Sequence, residues 1–228
     1  MKRLAIITAR GGSKRIPRKN IKPFLGKPIL AYSIEAALDS GLFDEVMVST
    51  DDEEIASISR KYGAKVPFLR SEKTANDYAV TADVLLEVLD CYQEMGESFD
   101  IVCCIYATAP FITIDRLREA DSKMVEGIDS IFPMVPFSYP IQRSVRVIDG
   151  FARLAYPEYQ DARSQDLETY YHDAGQFYFM TVESLRKNKF IWGKNSAPLV
   201  LSELEVQDLD NQTDWELAEM KYKLIHII

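Results

Sequence analysis

With 228 residues, 47% of them hydrophobic, the chain is long enough for one full core, and a single domain spanning 1–228 is expected. Charged residues make up 27% and the formal net charge is -8, which excludes a disordered chain and a generic nucleic-acid binder. A small anionic substrate stays open, provided that basic residues are concentrated in one cleft.

Leu4 to Thr8 predicts a first buried strand. Pro28 then opens a helix at its first turn, with Ile29, Leu30, Ile34, Ala37 and Leu38 as its apolar stripe and Gly41 as its stop. Glu45 to Thr50 predicts a second strand, followed by a helix over about Glu53 to Tyr62 that ends at Gly63 and by a short strand over Lys65 to Leu69. Val80, Val84, Leu85, Val88, Leu89 and Tyr92 have helical spacing. Ile101 to Tyr106 is wholly apolar and suits the centre of a parallel sheet. Thr113 is the expected N-cap of a helix carrying Leu117, Ala120 and Met124, and Ile128 to Val135 is another strand.

The alternation predicts an α/β sandwich with helices on both faces of a mostly parallel sheet. It breaks over about 136–171, a stretch rich in Tyr, Pro and Arg, which is expected to leave the core as part lid and part subunit contact. Gln176 to Met180 returns as a strand. Thr213 and Glu216 have capping-box spacing at the start of a last helix.

Three cysteines, Cys91, Cys103 and Cys104, do not make a disulfide framework. Adjacent Cys103 and Cys104 would point to opposite faces of their strand as buried thiols. His172 and His226 are the only histidines and have no CxxC partner, which argues against zinc. No signal peptide is visible and no apolar run reaches the roughly 20 residues of a membrane span, so a cytoplasmic protein without membrane contact is expected.

Four segments and an acidic pair carry chemistry. Ala9-Arg10-Gly11-Gly12-Ser13-Lys14-Arg15-Ile16-Pro17-Arg18-Lys19-Asn20 follows the first strand, where open α/β sheets bind ligands. Its glycines let backbone amides approach phosphate, and Arg10, Lys14, Arg15, Arg18 and Lys19 focus positive charge in an acidic protein. Neither the Walker A nor the GxGxxG pattern is present. The second segment runs from Pro67 through Arg70 to Asp77, with Thr81 following. The third is Tyr106-Ala107-Thr108-Ala109-Pro110, and the fourth is Arg163-Ser164-Gln165 with Tyr171-His172-Asp173-Ala174-Gly175-Gln176-Phe177-Tyr178. Asp208-Leu209-Asp210 sets two carboxylates one residue apart, so that in an extended segment both face one cation. Hard oxygen ligands of this kind suit Mg²⁺. Asp51-Asp52 is expected to cap the helix that follows it, and His172 is expected to bind or hydrogen-bond rather than to act as a base.

The first segment resembles the N-terminal motif of the CMP-sialic acid synthetase (acylneuraminate cytidylyltransferase) family, A-R-G-G-S-K-x-I-P-x-K-N, and the other segments follow that family's outline in order along nearly the whole chain. The resemblance implies a Rossmann-like nucleotidyltransferase three-layer sandwich that joins CMP from CTP to an acidic nine-carbon sugar with Mg²⁺, as a homodimer. It implies CTP contacts from Ala9, Arg10, Gly11, Gly12, Ser13, Lys14, Lys19, Asn20, Arg70, Asp77 and Thr81. It implies sugar contacts from Tyr106, Thr108, Arg163, Gln165, Tyr171, His172, Asp173, Gln176 and Tyr178, and metal contacts from Asp208 and Asp210. Arg10, Lys19, Asp208 and Asp210 would carry the catalysis. Tyr106 stands where the family usually has Gln, and Ala174-Gly175-Gln176 where it has Asn-Gly-Ala. The His172-to-Tyr178 version resembles the pseudaminic acid branch, with legionaminic and N-acetylneuraminic acid as the alternative sugars. A non-catalytic nucleotide-binding protein on the same fold is the alternative of another class, and it would not need Asp208 and Asp210 together.

Overall fold

A computed structural model describes residues 1–76 and 78–226. The chain opens with β1 (Arg3–Thr8), a small hairpin of β2 (Pro23–Phe24) and β3 (Lys27–Pro28), and α1 (Ile29–Ser40). Pro28 is the N-cap of α1, and Gly41 ends the helix in the left-handed conformation, φ 66°, that an L side chain resists. β4 (Glu45–Ser49) leads to α2 (Glu53–Lys61), whose N-cap Asp52 accepts from the Ile55 amide. The short α3 (Glu72–Ala75), α4 (Thr81–Glu94), β5 (Ile101–Tyr106) and α5 (Ile114–Lys123) follow. Thr113 caps α5 as its spacing predicts, accepting from the Arg116 amide.

After β6 (Ser130–Pro136) the excursion forms a separate hairpin of β7 (Val145–Ile148) and β8 (Phe151–Leu154). The chain returns through β9 (Tyr171–Asp173), β10 (Phe177–Thr181), α6 (Val182–Asn188), β11 (Ser196–Val200) and α7 (Gln212–His226). The main sheet runs β11-β6-β10-β5-β1-β4, with β9 on β6. β4, β1 and β5 are mutually parallel, β11 is parallel to β6, and β10 and β9 are antiparallel to their neighbours.

Strand periodicity sends alternate residues into two cores. Ala5, Ile7, Cys103 and Ile105 pack with Leu30, Ile34, Ile55 and Leu117 of α1, α2 and α5. Leu4, Ile6, Val102 and Cys104 pack on the other face with Leu85, Val88 and Leu185 of α4 and α6. The result is the expected three-layer sandwich, and Cys103 and Cys104 do lie on opposite faces. Burial pushes the Cys104 thiol up to about 12. A third core of Ile16, Phe24, Ile29, Phe111, Leu209, Trp215 and Ala218 joins the first loop to the last helix.

Two local expectations are corrected. Residues 65–69 form no strand: Lys65 makes a single bridge to Met47, because Pro67 and Phe68 turn the chain toward α3. The last helix is capped two residues earlier than Thr213 and Glu216, by Asn211 and Asp214. Asn211 Oδ1 accepts from the Asp214 amide, and Asp214 Oδ2 accepts from the Asn211 and Asp210 amides.

Candidate active site

Parallel strands in one sheet end on one edge, and here that edge collects the motif residues. Thr8 ends β1 in register with Ser49 of β4 and Tyr106 of β5. Antiparallel β10 starts where β5 ends, so the Tyr106 amide donates to the Gln176 carbonyl at 2.9 Å. The segments around residues 9, 50, 107 and 175 therefore leave the sheet side by side.

The first loop is held in shape by its neighbours. The Ala9 amide donates to the Ser49 carbonyl at 3.0 Å, and the Gly11 amide to Asp51 Oδ1 at 2.9 Å. A Cβ at Gly11 would stand 2.9 Å from Asp52 Oδ2, so the approach of the loop to the end of β4 requires glycine there. Arg18, at φ 55°, forks onto Asp52 at 2.5 and 3.0 Å. This contact, with the Ile55 amide, pulls the Asp52 carboxyl down to about 2. Buried Asn20 closes the loop by donating to the Arg10 carbonyl at 2.8 Å.

A cavity of about 280 Å³ opens inside this frame. Arg10, Ser13, Lys19, Asn20, Arg70, Thr81, Tyr106 and Thr108 line it, joined by Thr8, Thr74, Asn76, Ala79, Val84 and Ala107. Arg70 is anchored to Ser49 by its Nε at 3.1 Å and to the Ser49 carbonyl at 2.7 Å. Burial pushes the Arg70 guanidinium and the Lys19 ammonium below their usual values. For Lys19 the charges of Asp210 and Asp208 oppose that shift. Two desolvated cations on one polar cavity would be stabilised by an anion that enters it.

The carboxyl-terminal pair is tied to the same loop, although neither carboxylate lines the first cavity. Lys19 Nζ donates to the Leu209 carbonyl at 2.7 Å, Arg15 pairs with Asp210 at 2.7 Å, and Lys22 donates to Gln212 at 2.9 Å. Leu209, 1% exposed, plugs the third core, so Asp208 and Asp210 both turn away from it. Asp208 also lines a second cavity of about 390 Å³, shared with His172, Asp173, Gly175, Glu203, Gln207 and Lys221.

Other motif residues are placed differently. Tyr106 and Thr108, implied on the sugar side, line the first cavity. Gln176 and Tyr178 are buried behind the walls of both cavities: Gln176 Nε2 donates to the Glu205 carbonyl, and Tyr178 Oη to Asp173 Oδ2 at 2.6 Å. Arg163 pairs with Asp166 at 2.7 Å, and neither it, exposed Gln165, nor Tyr171 lines either cavity. Gly11, Gly12 and Lys14 lie in the loop without lining either one. Asp77 is outside the described residues. Thr74 and Asn76, from the segment between Pro67 and Asp77, line the first cavity without being among the expected contacts. Lys221, which donates to the Glu203 and Val206 carbonyls, had no local signal in the sequence.

A sequence model described as cytidylyltransferase matches residues 4–134. A pseudaminic acid cytidylyltransferase of Campylobacter jejuni subsp. jejuni serotype O:2 is 45% identical over 228 residues, covering 99% of this chain and 98% of that protein. A CMP-N,N'-diacetyllegionaminic acid synthase of Legionella pneumophila is 36% identical, covering 98% and 97%. The structure of a CMP:2-keto-3-deoxy-manno-octonic acid synthetase complexed with CTP superposes over 100% of both chains with a TM-score of 0.72 at 19% identity, which shows a shared fold. The chain belongs to the cytidylyltransferase family and is a nucleotidyltransferase.

Proposed function

We propose that the protein, a single nucleotidyltransferase unit with one excursion, transfers CMP from CTP to pseudaminic acid with release of pyrophosphate. The carrying observation is that Lys19 faces the first cavity while bound to the segment of Asp208 and Asp210. The 45% identity to a pseudaminic acid cytidylyltransferase over nearly its full length supports the choice of sugar. In this reading the first cavity takes the nucleotide, with its base toward Arg70 and Thr81 and its phosphates toward Arg10 and Lys19. The second cavity takes the sugar beside His172 and Asp173. The anomeric hydroxyl attacks the α-phosphorus, the bond to the β-phosphate breaks, and Arg10 and Lys19 stabilise the charge on the leaving pyrophosphate.

The donor set fits a hard divalent cation. The described residues contain no group of three or more His, Cys, Asp or Glu side chains able to hold a metal. Two carboxylates beside a phosphate pocket match Mg²⁺, which completes its shell with water and substrate oxygens. Asp208 and Asp210 would hold it, with Arg15 released from Asp210. When bound, the ion supplies positive charge at the α-phosphate.

Hairpin β7–β8 exposes Val145, Val147, Ile148 and Phe151 although a two-stranded ribbon has little stability alone. We infer that a second copy covers it in a homodimer, where Arg163 and Gln165 reach the neighbouring sugar site. No helix among the described residues is long and apolar enough to cross a membrane, and we place the reaction in the cytoplasm, where CTP is held.

The test is pyrophosphate release with CTP, Mg²⁺ and each candidate sugar in turn. Pseudaminic acid should give the highest kcat/KM, and a higher value with legionaminic or N-acetylneuraminic acid would replace the sugar assignment. Asp210→Ala should abolish turnover in a folded chain, and near wild-type turnover would remove the metal assignment.

A further inference from the structure

The second cavity is rich in acid and holds a single ammonium. Asp173, Glu203 and Asp208 line it, and Lys221 is the one lysine or arginine among the described residues that does so. An anionic sugar entering there meets three carboxylates, which repel it and offer it no hydrogen-bond donor. Its own carboxylate gives up water on entry and needs a cation in return.

The seating of α7 supplies that cation. Trp215 and Ala218 are buried in the third core, and Lys221 follows Ala218 by three residues, so it leaves the helix on the same side. Lys221 Nζ donates to the Glu203 carbonyl at 3.1 Å and to the Val206 carbonyl at 2.9 Å. Both partners are neutral, and no carboxylate among the described residues stands within ion-pair distance of this ammonium. The acids of the cavity are engaged elsewhere. Glu203 accepts from the Ser138 hydroxyl, Asp173 from Tyr178 Oη and the Gly175 amide, and Asp208 from the Leu209 amide. An ammonium has three donors. Two are fixed on the backbone, and the third, with the undivided charge, is left for what enters the cavity.

We propose that Lys221 binds the carboxylate of the sugar and thereby orients the anomeric hydroxyl for attack. The assignment rests on the reading of the second cavity as the sugar site, and deepens it by naming the group recognised and the residue that recognises it. In a 2-keto acid sugar the carboxylate is borne by the anomeric carbon itself, so a cation that holds it also sets the neighbouring hydroxyl. Val206, whose carbonyl steadies the ammonium, precedes Asp208 by two residues, which brings Lys221 close to the segment assigned to the metal. Within one chain Arg163 does not serve instead, since it pairs with Asp166 and lines neither cavity.

The experiment compares kcat/KM for pseudaminic acid and for its C1 carboxamide, read as pyrophosphate release at saturating CTP and Mg²⁺. The carboxamide keeps the shape of the acid and loses its charge. Wild type should prefer the acid. Lys221→Gln keeps a donor for the two carbonyls without the charge, and it should reduce the acid-to-carboxamide ratio by about thirtyfold, the worth of one charge-assisted hydrogen bond. KM for CTP should move by less than about twofold. A merely structural role, support of the turn at 203–206, would lower kcat/KM for both sugars alike and leave the ratio unchanged. If wild type prefers the acid and the folded variant keeps that ratio, Lys221 is not the carboxylate's partner, while the sugar site stands. If wild type does not distinguish the two sugars, the carboxylate is not recognised and the assignment is equally overturned. If wild type turns over no candidate sugar, the reading of the cavity is lost with it. Should Lys221→Gln fail to fold, Lys221→Met, which keeps the apolar stem, decides in its place.

Discussion

The loop after β1 and the excursion after β6 are both irregular, both rich in arginine, and built in opposite ways. Over 9–20 nearly every turn is tied to another part of the chain: Ala9 to Ser49, Gly11 to Asp51, Arg18 to Asp52, Lys19 to Leu209. Ile16 is buried beneath it. The excursion is tied mainly to itself. β7 pairs only with β8, Gln142 donates to the Glu168 carbonyl, and Arg143 to the Ala162 carbonyl. The first loop spends its polar groups on rigidity and keeps cations aimed at a cavity. The second leaves apolar side chains outside, and Val147 is 77% exposed. A preorganised site needs the first arrangement, and a contact surface needs the second.

The largest expected effect lies at Lys19. Lys19→Ala removes a desolvated cation from the nucleotide cavity and the bond that holds the Asp208–Asp210 segment. We expect kcat/KM to fall by on the order of 10²–10³-fold, comparable to the loss of one preorganised electrostatic contact. A loss below tenfold would mean that the rigid loop does not act on the phosphates. In the excursion the effect should be on assembly. The double substitution Val147→Glu with Phe151→Glu should shift the sedimentation of the protein from dimer to monomer and leave the affinity for CTP within about twofold. An unchanged dimer would move the subunit contact elsewhere, and a parallel loss of CTP affinity would erase the contrast between the two regions.

Much of this contrast can be traced in the sequence, by different signals. The strands that position the first cavity are apolar runs, and the end of the first carries glycines and cations, so Arg10 and Lys19 stand out by local pattern, while Arg70 and Tyr106 are singled out by the family resemblance. The hairpin carried a local signal too. Asp149-Gly150, both at positive φ, joins β7 and β8 as a two-residue turn, and Asp-Gly between alternating residues marks such hairpins. It was lost in a stretch expected to be irregular. β11 has no expected counterpart; its Pro198 lacks a donor, which is tolerated at the sheet's edge. The second cavity is least legible, since Glu203 and Gln207, before α7, and Lys221, on α7, meet His172 only through tertiary packing.

The smallest effect tests why the first loop is rigid. Asp52 both caps α2 and pairs with Arg18, and the two roles separate in Asp52→Asn, because Asn caps a helix about as well as Asp. What the variant loses is charge. The folded carboxyl is held at about 2, below the unfolded value of about 3.9, so its contribution is fully present above about pH 4 and is lost as pH falls toward 2. A shift of that size would be worth about 2.5 kcal/mol unscreened. Arg18 is 39% exposed, and solvent screening reduces the expectation to about 1 kcal/mol. Urea unfolding at pH 7 should therefore show the variant about 1 kcal/mol less stable, with the gap to wild type closing between pH 4 and pH 2.5. A gap that persists unchanged at pH 2.5 would assign the loss to shape. The loop would then be held by its glycine contact and its carbonyl bonds, and the charge of Asp52 would add nothing to them.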